Sequence, residues 1–255
     1  NLPKEILDDD VEEIKENLKS RIKNLQAISD RYYEVVNKYA IIKGTNKDDW
    51  IDIERMSGGN TKVTAYRIKK GKKAAVFHDR VYNSEDTKEI WVYSLDDDDT
   101  FHVYGNENTA IKIRLIGGQN NDTYHIENGK KIKLYDYKSK PNTIVTNKGK
   151  KKLTDNYETN VYNYKKLKNN TNQLIPTLGS NPDDGFKIGL SNTLTNYGFE
   201  RNPFTSQHIV SAAYYFATKG YELKYSGEFA NVVGNVNFGL AIEFNGPNYA
   251  TNFFG

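Results

Sequence analysis

The chain reads as a mainly β protein with one N-terminal helix, and three observations predict it. From Asp184 to Gly255, apolar and polar residues alternate in runs of about ten, the period of long strands with two unlike faces. A run beginning at Val92 repeats at Leu115, an offset of 23 residues. Only the segment near the N-terminus carries a helical period.

Composition agrees. The 255 residues are 37% apolar, with 19 Tyr and 11 Phe, so aromatic rather than aliphatic side chains carry much of the burial. The 36 basic and 33 acidic residues nearly cancel, leaving +3, which argues against a nucleic-acid binder with its concentrated basic stripe. There is no Cys, which excludes disulfides, thiolate metal sites and Cys nucleophiles. No apolar run reaches the ~18 residues of a transmembrane helix, but alternating barrel strands escape that criterion. No signal peptide is recognisable, and a start at Asn1 rather than Met fits a processed chain or a fragment.

The helix is predicted over Asp8–Tyr39. Asp8, Asp9 and Asp10 suit its N-terminus. Ile14, Leu18, Ile22, Leu25, Ile28, Tyr32, Val35, Val36 and Tyr39 recur every three or four residues, while Glu12, Glu13, Lys15, Glu16, Lys19, Lys23 and Asp30 take the other face. Such a stripe must be covered. Packing on the following sheet is the expectation, and a coiled coil the alternative.

After Gly44 the pattern turns to strands. Trp50–Met56 and Thr61–Ile68 flank the turn Ser57-Gly58-Gly59-Asn60; Ala74–Tyr82 and Lys88–Leu95 follow. Four antiparallel strands beside a helix would give a small α+β or sandwich domain. The repeat then aligns Val92-Tyr93 and Asp98 to Val103 with Leu115-Ile116 and Asn121 to Ile126, with a looser copy at Leu134-Tyr135 and Asn142 to Val145. A period in the low twenties fits one coil of a β-solenoid; a meander of similar strands is the alternative. Residues 1–146 thus form the helix and β-rich domain. Residues 147–182, rich in Lys, Asn and Tyr, read as a polar linker with one short strand, Asn160–Tyr164.

Residues 183–255 read as the first strands of a transmembrane barrel: Phe186–Phe199, His208–Ala217, Tyr221–Ala230, Asn235–Phe244 and a fifth over Tyr249–Phe254. Thr218–Gly220 and Gly246–Asn248 are the short turns that would face the periplasm. Four and a half strands cannot close a barrel of about eight or more, so the sheet is incomplete.

One motif carries candidate chemistry. Gly117-Gly118-Gln119-Asn120-Asn121-Asp122-Thr123-Tyr124-His125 resembles the glycine- and aspartate-bearing nonapeptide of calcium-binding β-rolls, with Asn120 in place of the third Gly. Stacked coils would put Asp98 and Asp99 beside Asn121 and Asp122, and four consecutive carboxylates repel one another unless a cation sits among them. Asp96, Asp97, Asp98, Asp99 and Asp122 are the candidate Ca²⁺ ligands, with an acidic, solvated turn as the alternative. His102 and His125 occupy equivalent repeat positions and point the same way. No nucleophile elbow, phosphate loop, zinc-protease helix or dinucleotide fingerprint is present, so no catalytic residues are expected.

Two stretches together resemble a family. Thr87-Lys88-Glu89-Ile90-Trp91-Val92-Tyr93-Ser94-Leu95-Asp96-Asp97-Asp98-Asp99-Thr100-Phe101 and Ile113-Arg114-Leu115-Ile116-Gly117-Gly118 with Asn121-Asp122 resemble a segment of large bacterial cell-surface proteins. These carry a calcineurin-like metallophosphoesterase domain upstream and an outer-membrane barrel of the bacterial surface antigen type, related to the barrel-assembly factor, downstream. Asp183-Asp184-Gly185-Phe186, Asn202-Pro203-Phe204 and Tyr221-Glu222-Leu223-Lys224-Tyr225 look like the start of that barrel. The phosphoesterase motifs are absent, so the resemblance transfers no catalytic residue. It implies a non-enzymatic segment in the Gram-negative outer membrane, with the soluble part periplasmic. The role would be anchoring, or accessory to envelope assembly or transport. The partners would be lipid, other envelope proteins or further barrel strands, and not nucleic acid. A soluble β-sandwich adhesion or carbohydrate-binding module, and the non-catalytic part of a surface metallophosphoesterase, are the competing readings.

Overall fold

The computed structural model describes residues 9–107 and 111–248, in two compact units, 1–162 and 163–255. The boundary falls inside the expected linker 147–182, and both ends of that linker enter regular structure.

Unit 1 starts with α1 (Asp9–Val36). The expected helical run to Tyr39 is cut short, and β1 (Tyr39–Lys43) takes over. Among the described residues nothing covers the helix: Ile14, Leu18, Ile22, Leu25, Ile28 and Tyr32 are all exposed, and the expected packing on the following sheet is not found.

The rest of unit 1 is a two-sheet parallel solenoid. The strands are β2 (Asp49–Arg55), β3 (Thr61–Lys69), β4 (Lys72–Tyr82), β5 (Glu89–Tyr93), β6 (Thr100–Tyr104), β7 (Lys112–Ile116), β8 (Thr123–Ile126), β9 (Ile132–Asp136), β10 (Thr143–Asn147) and β11 (Lys150–Leu153). One sheet runs β1-β5-β7-β9-β11, the other β10-β8-β6-β2-β3-β4. The chain alternates between them, so each coil contributes one strand to each sheet. The repeat offset is the stacking register: Val92 pairs with Leu115, and Phe101 with Tyr124, in parallel ladders.

Lys88–Leu95 is therefore not a fourth antiparallel strand beside Ala74–Tyr82. Its core strand β5 sits in the other sheet, parallel to β1 and β7. Only β2, β3 and β4 are antiparallel, a hairpin excursion that extends the second sheet beyond β2. That excursion separates the first coil from the second, so Trp50 pairs with Thr100 across a longer offset than the other coils show.

Period-two alternation puts one face of each sheet into a shared core. Ile90, Val92, Ile113, Leu115 and Leu134 from one sheet meet Ile51, Ile53, Phe101, Val103, Tyr124 and Ile126 from the other, all buried. The stacked rings of Phe101 and Tyr124 lie 5.2 Å apart with a 5° interplanar angle. The edge strand β11 carries Lys150, Lys151 and Lys152, and such charge discourages pairing with another chain. The expected strand at Asn160–Tyr164 is absent: the short helix α2 (Tyr157–Asn160) ends at its first residue, and 161–164 are irregular.

Unit 2 is one antiparallel sheet in the order β12-β13-β14-β15-β16: β12 (Thr171–Asn181), β13 (Gly185–Asn196), β14 (Ser206–Tyr215), β15 (Tyr221–Val233) and β16 (Val236–Asn245). The sheet begins one strand earlier than expected, because β12 pairs along its whole length with β13. Pro176 in β12 concealed this strand; proline is tolerated there because β12 is an edge. Among the described residues β12 and β16 do not meet, so the sheet is open. The expected strand Tyr249–Phe254 lies outside the described residues.

Candidate functional site

Two features stand out, one in each unit. The first is a stack of buried acids at the corner where the solenoid chain passes from the first sheet to the second. Asp49, Asp99, Asp122 and Asn142 occupy equivalent positions just ahead of, or at the start of, β2, β6, β8 and β10. The last three each reach back one coil. Asp99 Oδ1 accepts the Asp49 N–H at 2.7 Å, Asp122 Oδ1 accepts the Asp99 N–H at 2.9 Å, and Asn142 Oδ1 accepts the Asp122 N–H at 2.9 Å. The side chains thus continue the backbone ladders around a corner where parallel strands cannot reach.

Across the corner lie the residues that follow β1, β5 and β7, and the last residue of β9: Gly44, Ser94, Gly117 and Asp136. The smallness of Gly44, Ser94 and Gly117 makes room for the acids. A Cβ on Gly117 would lie within overlap distance of Asp122 Oδ2, Tyr124 Oη and Asp136 Oδ2. Gly117→Ala is therefore expected to destabilise the solenoid by about 3 kcal/mol, as overpacking does. Urea unfolding followed by tryptophan fluorescence measures this, because both tryptophans, Trp50 and Trp91, lie in unit 1.

The ladder is neutralised at one end only. Asp49 is bonded by Arg67 and accepts the Thr45 N–H at 2.6 Å. Among the described residues no cation bonds Asp99 or Asp122: each keeps a buried Oδ2 without a hydrogen-bond partner there, and the two residues are 1% and 0% exposed. Burial, reinforced by Asp122, pushes the Asp99 carboxyl up to about 10. Burial and then Asp136 push Asp122 up to about 8. Burial raises Asp136 to about 6, although Tyr124 Oη donates to it at 2.6 Å. Asp99 and Asp122 therefore hold protons at neutral pH, whereas Asp136 gives its proton up below it.

The five predicted Ca²⁺ ligands are divided by this geometry. Asp99 and Asp122 point inward. Asp96, Asp97 and Asp98 stay on the outside of the turn: Asp96 Oδ1 accepts Asn120 Nδ2 at 3.1 Å, Asp98 Oδ1 accepts the Asn121 N–H at 3.2 Å, and Asp97 lies 3.9 Å from Lys47. Among the described residues no group of three or more His, Asp or Glu side chains is arranged to hold a metal ion. Asn120 does adopt the left-handed backbone expected of a residue replacing glycine, with φ 70. His102 and His125 pair in register on the outer face, their rings 6.3 Å apart and nearly perpendicular. Sequence reasoning missed Asp49 and Asp136. Asp49 was hidden by the β3–β4 excursion, and Asp136 comes from the opposite side of the corner.

The second feature is the sheet of unit 2. Register places Leu178, Ile188, Tyr214 and Tyr221 on one face, and Leu223 opposite Phe244, Tyr225 opposite Ile242, and Phe229 opposite Phe238 on that same face. The other face carries Gln173, Thr193, Ser211, Ser226, Lys224 and Glu243. The apolar face is uncovered: Val236, Phe238, Leu240, Ile242 and Phe244 are between 46% and 66% exposed. Its aromatics gather at both ends. Phe186 and Phe216, 5.8 Å apart, and Tyr221 and Phe244, 6.0 Å apart, mark one. His208 and Phe229, 5.4 Å apart, and Phe229 and Phe238, 6.2 Å apart, mark the other. Leu190, Val210, Leu223, Leu240 and Ile242 fill the band between, together with Tyr225, whose hydroxyl lies 2.9 Å from His208 Nδ1.

No protein-family model, no curated protein and no solved structure matches this chain.

Proposed function

We propose that unit 2 is a run of strands from an outer-membrane β-barrel, and that the chain is a non-enzymatic envelope segment whose solenoid is a soluble, partner-binding part on the periplasmic side. The observation that carries this reading is the exposed aliphatic band of unit 2, flanked at both ends by aromatic rings and backed by a polar face. An aliphatic band between aromatic girdles suits a hydrocarbon layer between two headgroup regions, and the polar reverse suits a barrel lumen. From Tyr221 to Phe229 this face covers nine residues of strand, within the ~9–11 that a tilted membrane-spanning strand requires.

A soluble sandwich would bury this face under a second sheet, and among the described residues none lies over it. Nor do the perturbed acids of unit 1 favour an enzyme, since a substrate cannot reach side chains sealed from solvent.

Membrane fractionation tests the proposal. The expressed chain is expected to stay in the membrane pellet through a high-salt wash and to be released only by detergent. A monodisperse monomer in detergent-free buffer would show instead that the face is soluble or self-covered.

A further inference from the structure

The apolar stripe of α1 is a large uncovered surface in unit 1, and its spacing is stricter than a helix docked on a sheet requires. From Val11 to Val35 the steps alternate three and four residues without a break: Leu18, Leu25 and Tyr32 follow Val11 in one series, and Ile14, Arg21, Ile28 and Val35 form the other. Steps of 3-4-3-4 give a period of 3.5, the seam of a left-handed coiled coil; a face packed on a globular body follows 3.6. Seven of these eight positions are apolar, and Ile22 and Val36 border the seam, both exposed.

We propose that α1 pairs with α1 of a second copy of this chain through this seam. Charge selects the occupant. The described helix carries seven acidic residues (Asp9, Asp10, Glu12, Glu13, Glu16, Asp30, Glu34) against five basic ones (Lys15, Lys19, Arg21, Lys23, Arg31), which does not suit an anionic lipid surface. Beside the seam stand Lys15, Asn17, Ile22, Asn24, Ser29, Arg31 and Val36. Five of these seven are uncharged, so an identical helix meets no row of like charges, and no oppositely charged foreign helix is required. Several polar side chains are paired within the helix: Lys15, beside the seam, bonds Glu12 at 3.2 Å, and away from it Lys19 bonds Glu16 at 2.7 Å and Gln26 bonds Asp30 at 2.8 Å. Arg21 is the one polar seam position, a device that fixes register at some cost in stability. The pairing does not depend on the membrane assignment of unit 2.

The chain has no Cys, so Lys23→Cys gives a single labelling site, on the outer face near the middle of the helix. Pulsed electron–electron resonance on the full chain in dilute detergent is expected to show an inter-label distance of roughly 20–30 Å, the width of two packed helices with their labels. Adding Leu25→Asp and Ile28→Asp is expected to abolish that distance and halve the mass seen by sedimentation. Both substituted residues are exposed, so unchanged tryptophan fluorescence confirms that the solenoid remains folded. A monomer without a dipolar signal overturns the proposal. So does a signal that survives the two aspartates, since association would then run through another surface.

Discussion

Asp122→Asn is expected to stabilise the solenoid at pH 7.5 by on the order of 3 kcal/mol and to change its stability little at pH 4. Asp99, Asp122 and Asp136 all have carboxyls raised above their ordinary value of 3.8. The folded chain therefore holds protons that the unfolded chain releases, and the contribution of these groups is fully present below about pH 4. It is lost as pH rises, through about 6 for Asp136, about 8 for Asp122 and about 10 for Asp99. Each unit of separation is worth about 1.4 kcal/mol, and mutual coupling lowers the yield of any single substitution. Asparagine keeps the Oδ1 that accepts the Asp99 N–H. It also places a neutral amide donor where Asp122 Oδ2 sits without a partner. The last rung already uses this solution, with Asn142 Nδ2 donating to the Tyr137 carbonyl at 3.1 Å. Urea midpoints read by tryptophan fluorescence from pH 4 to pH 9 check it. A flat pH profile, or an equal effect of the variant at both extremes, would refute the protonated ladder. A millimolar Ca²⁺ effect that raises stability at pH 8 and vanishes in Asp122→Asn would mean that a cation replaces the protons.

Leu240→Arg is expected to weaken partition of the chain into lipid vesicles by at least thirtyfold, while Ser226→Arg leaves it within about threefold. Leu240 lies in the middle of the aliphatic band, opposite Gly227, whereas Ser226 lies on the polar face opposite Ala241. An arginine at the hydrocarbon midplane costs about 2–4 kcal/mol, and a lumen-facing one is solvated. Co-sedimentation with phosphatidylcholine vesicles measures both. Equal effects of the two variants would show that the sheet's faces are not distinguished by lipid, and the barrel reading would fail.

What the sequence disclosed follows from what its patterns encode. The 23-residue offset was legible because stacked parallel strands must repeat side-chain type at each rung, as Thr100, Phe101, His102 and Val103 do against Thr123, Tyr124, His125 and Ile126. Strand direction was not legible, since alternation is the same in parallel and antiparallel neighbours, and Lys88–Leu95 was therefore placed in the wrong sheet. Strand β1 merged with the helix because Tyr39 continues the spacing of Tyr32, Val35 and Val36, and the Asn37-Lys38 turn has no glycine or proline to mark it. Of the acid cluster, Asp99 and Asp122 were visible as repeat partners. Their separation from Asp96, Asp97 and Asp98 was not, because which side of a corner a carboxylate takes depends on Ser94 and Gly117 across it.

The solenoid also has the properties of an adjustable spacer. Each coil bonds only to the coils before and after it, and one corner is keyed by a single Asp or Asn with a small residue opposite. Duplicating one 23-residue coil would lengthen the stack by about 4.8 Å without disturbing either end. In a lineage of such chains, the reach of this unit could change in steps of one coil, each step adding one more buried acid to the ladder.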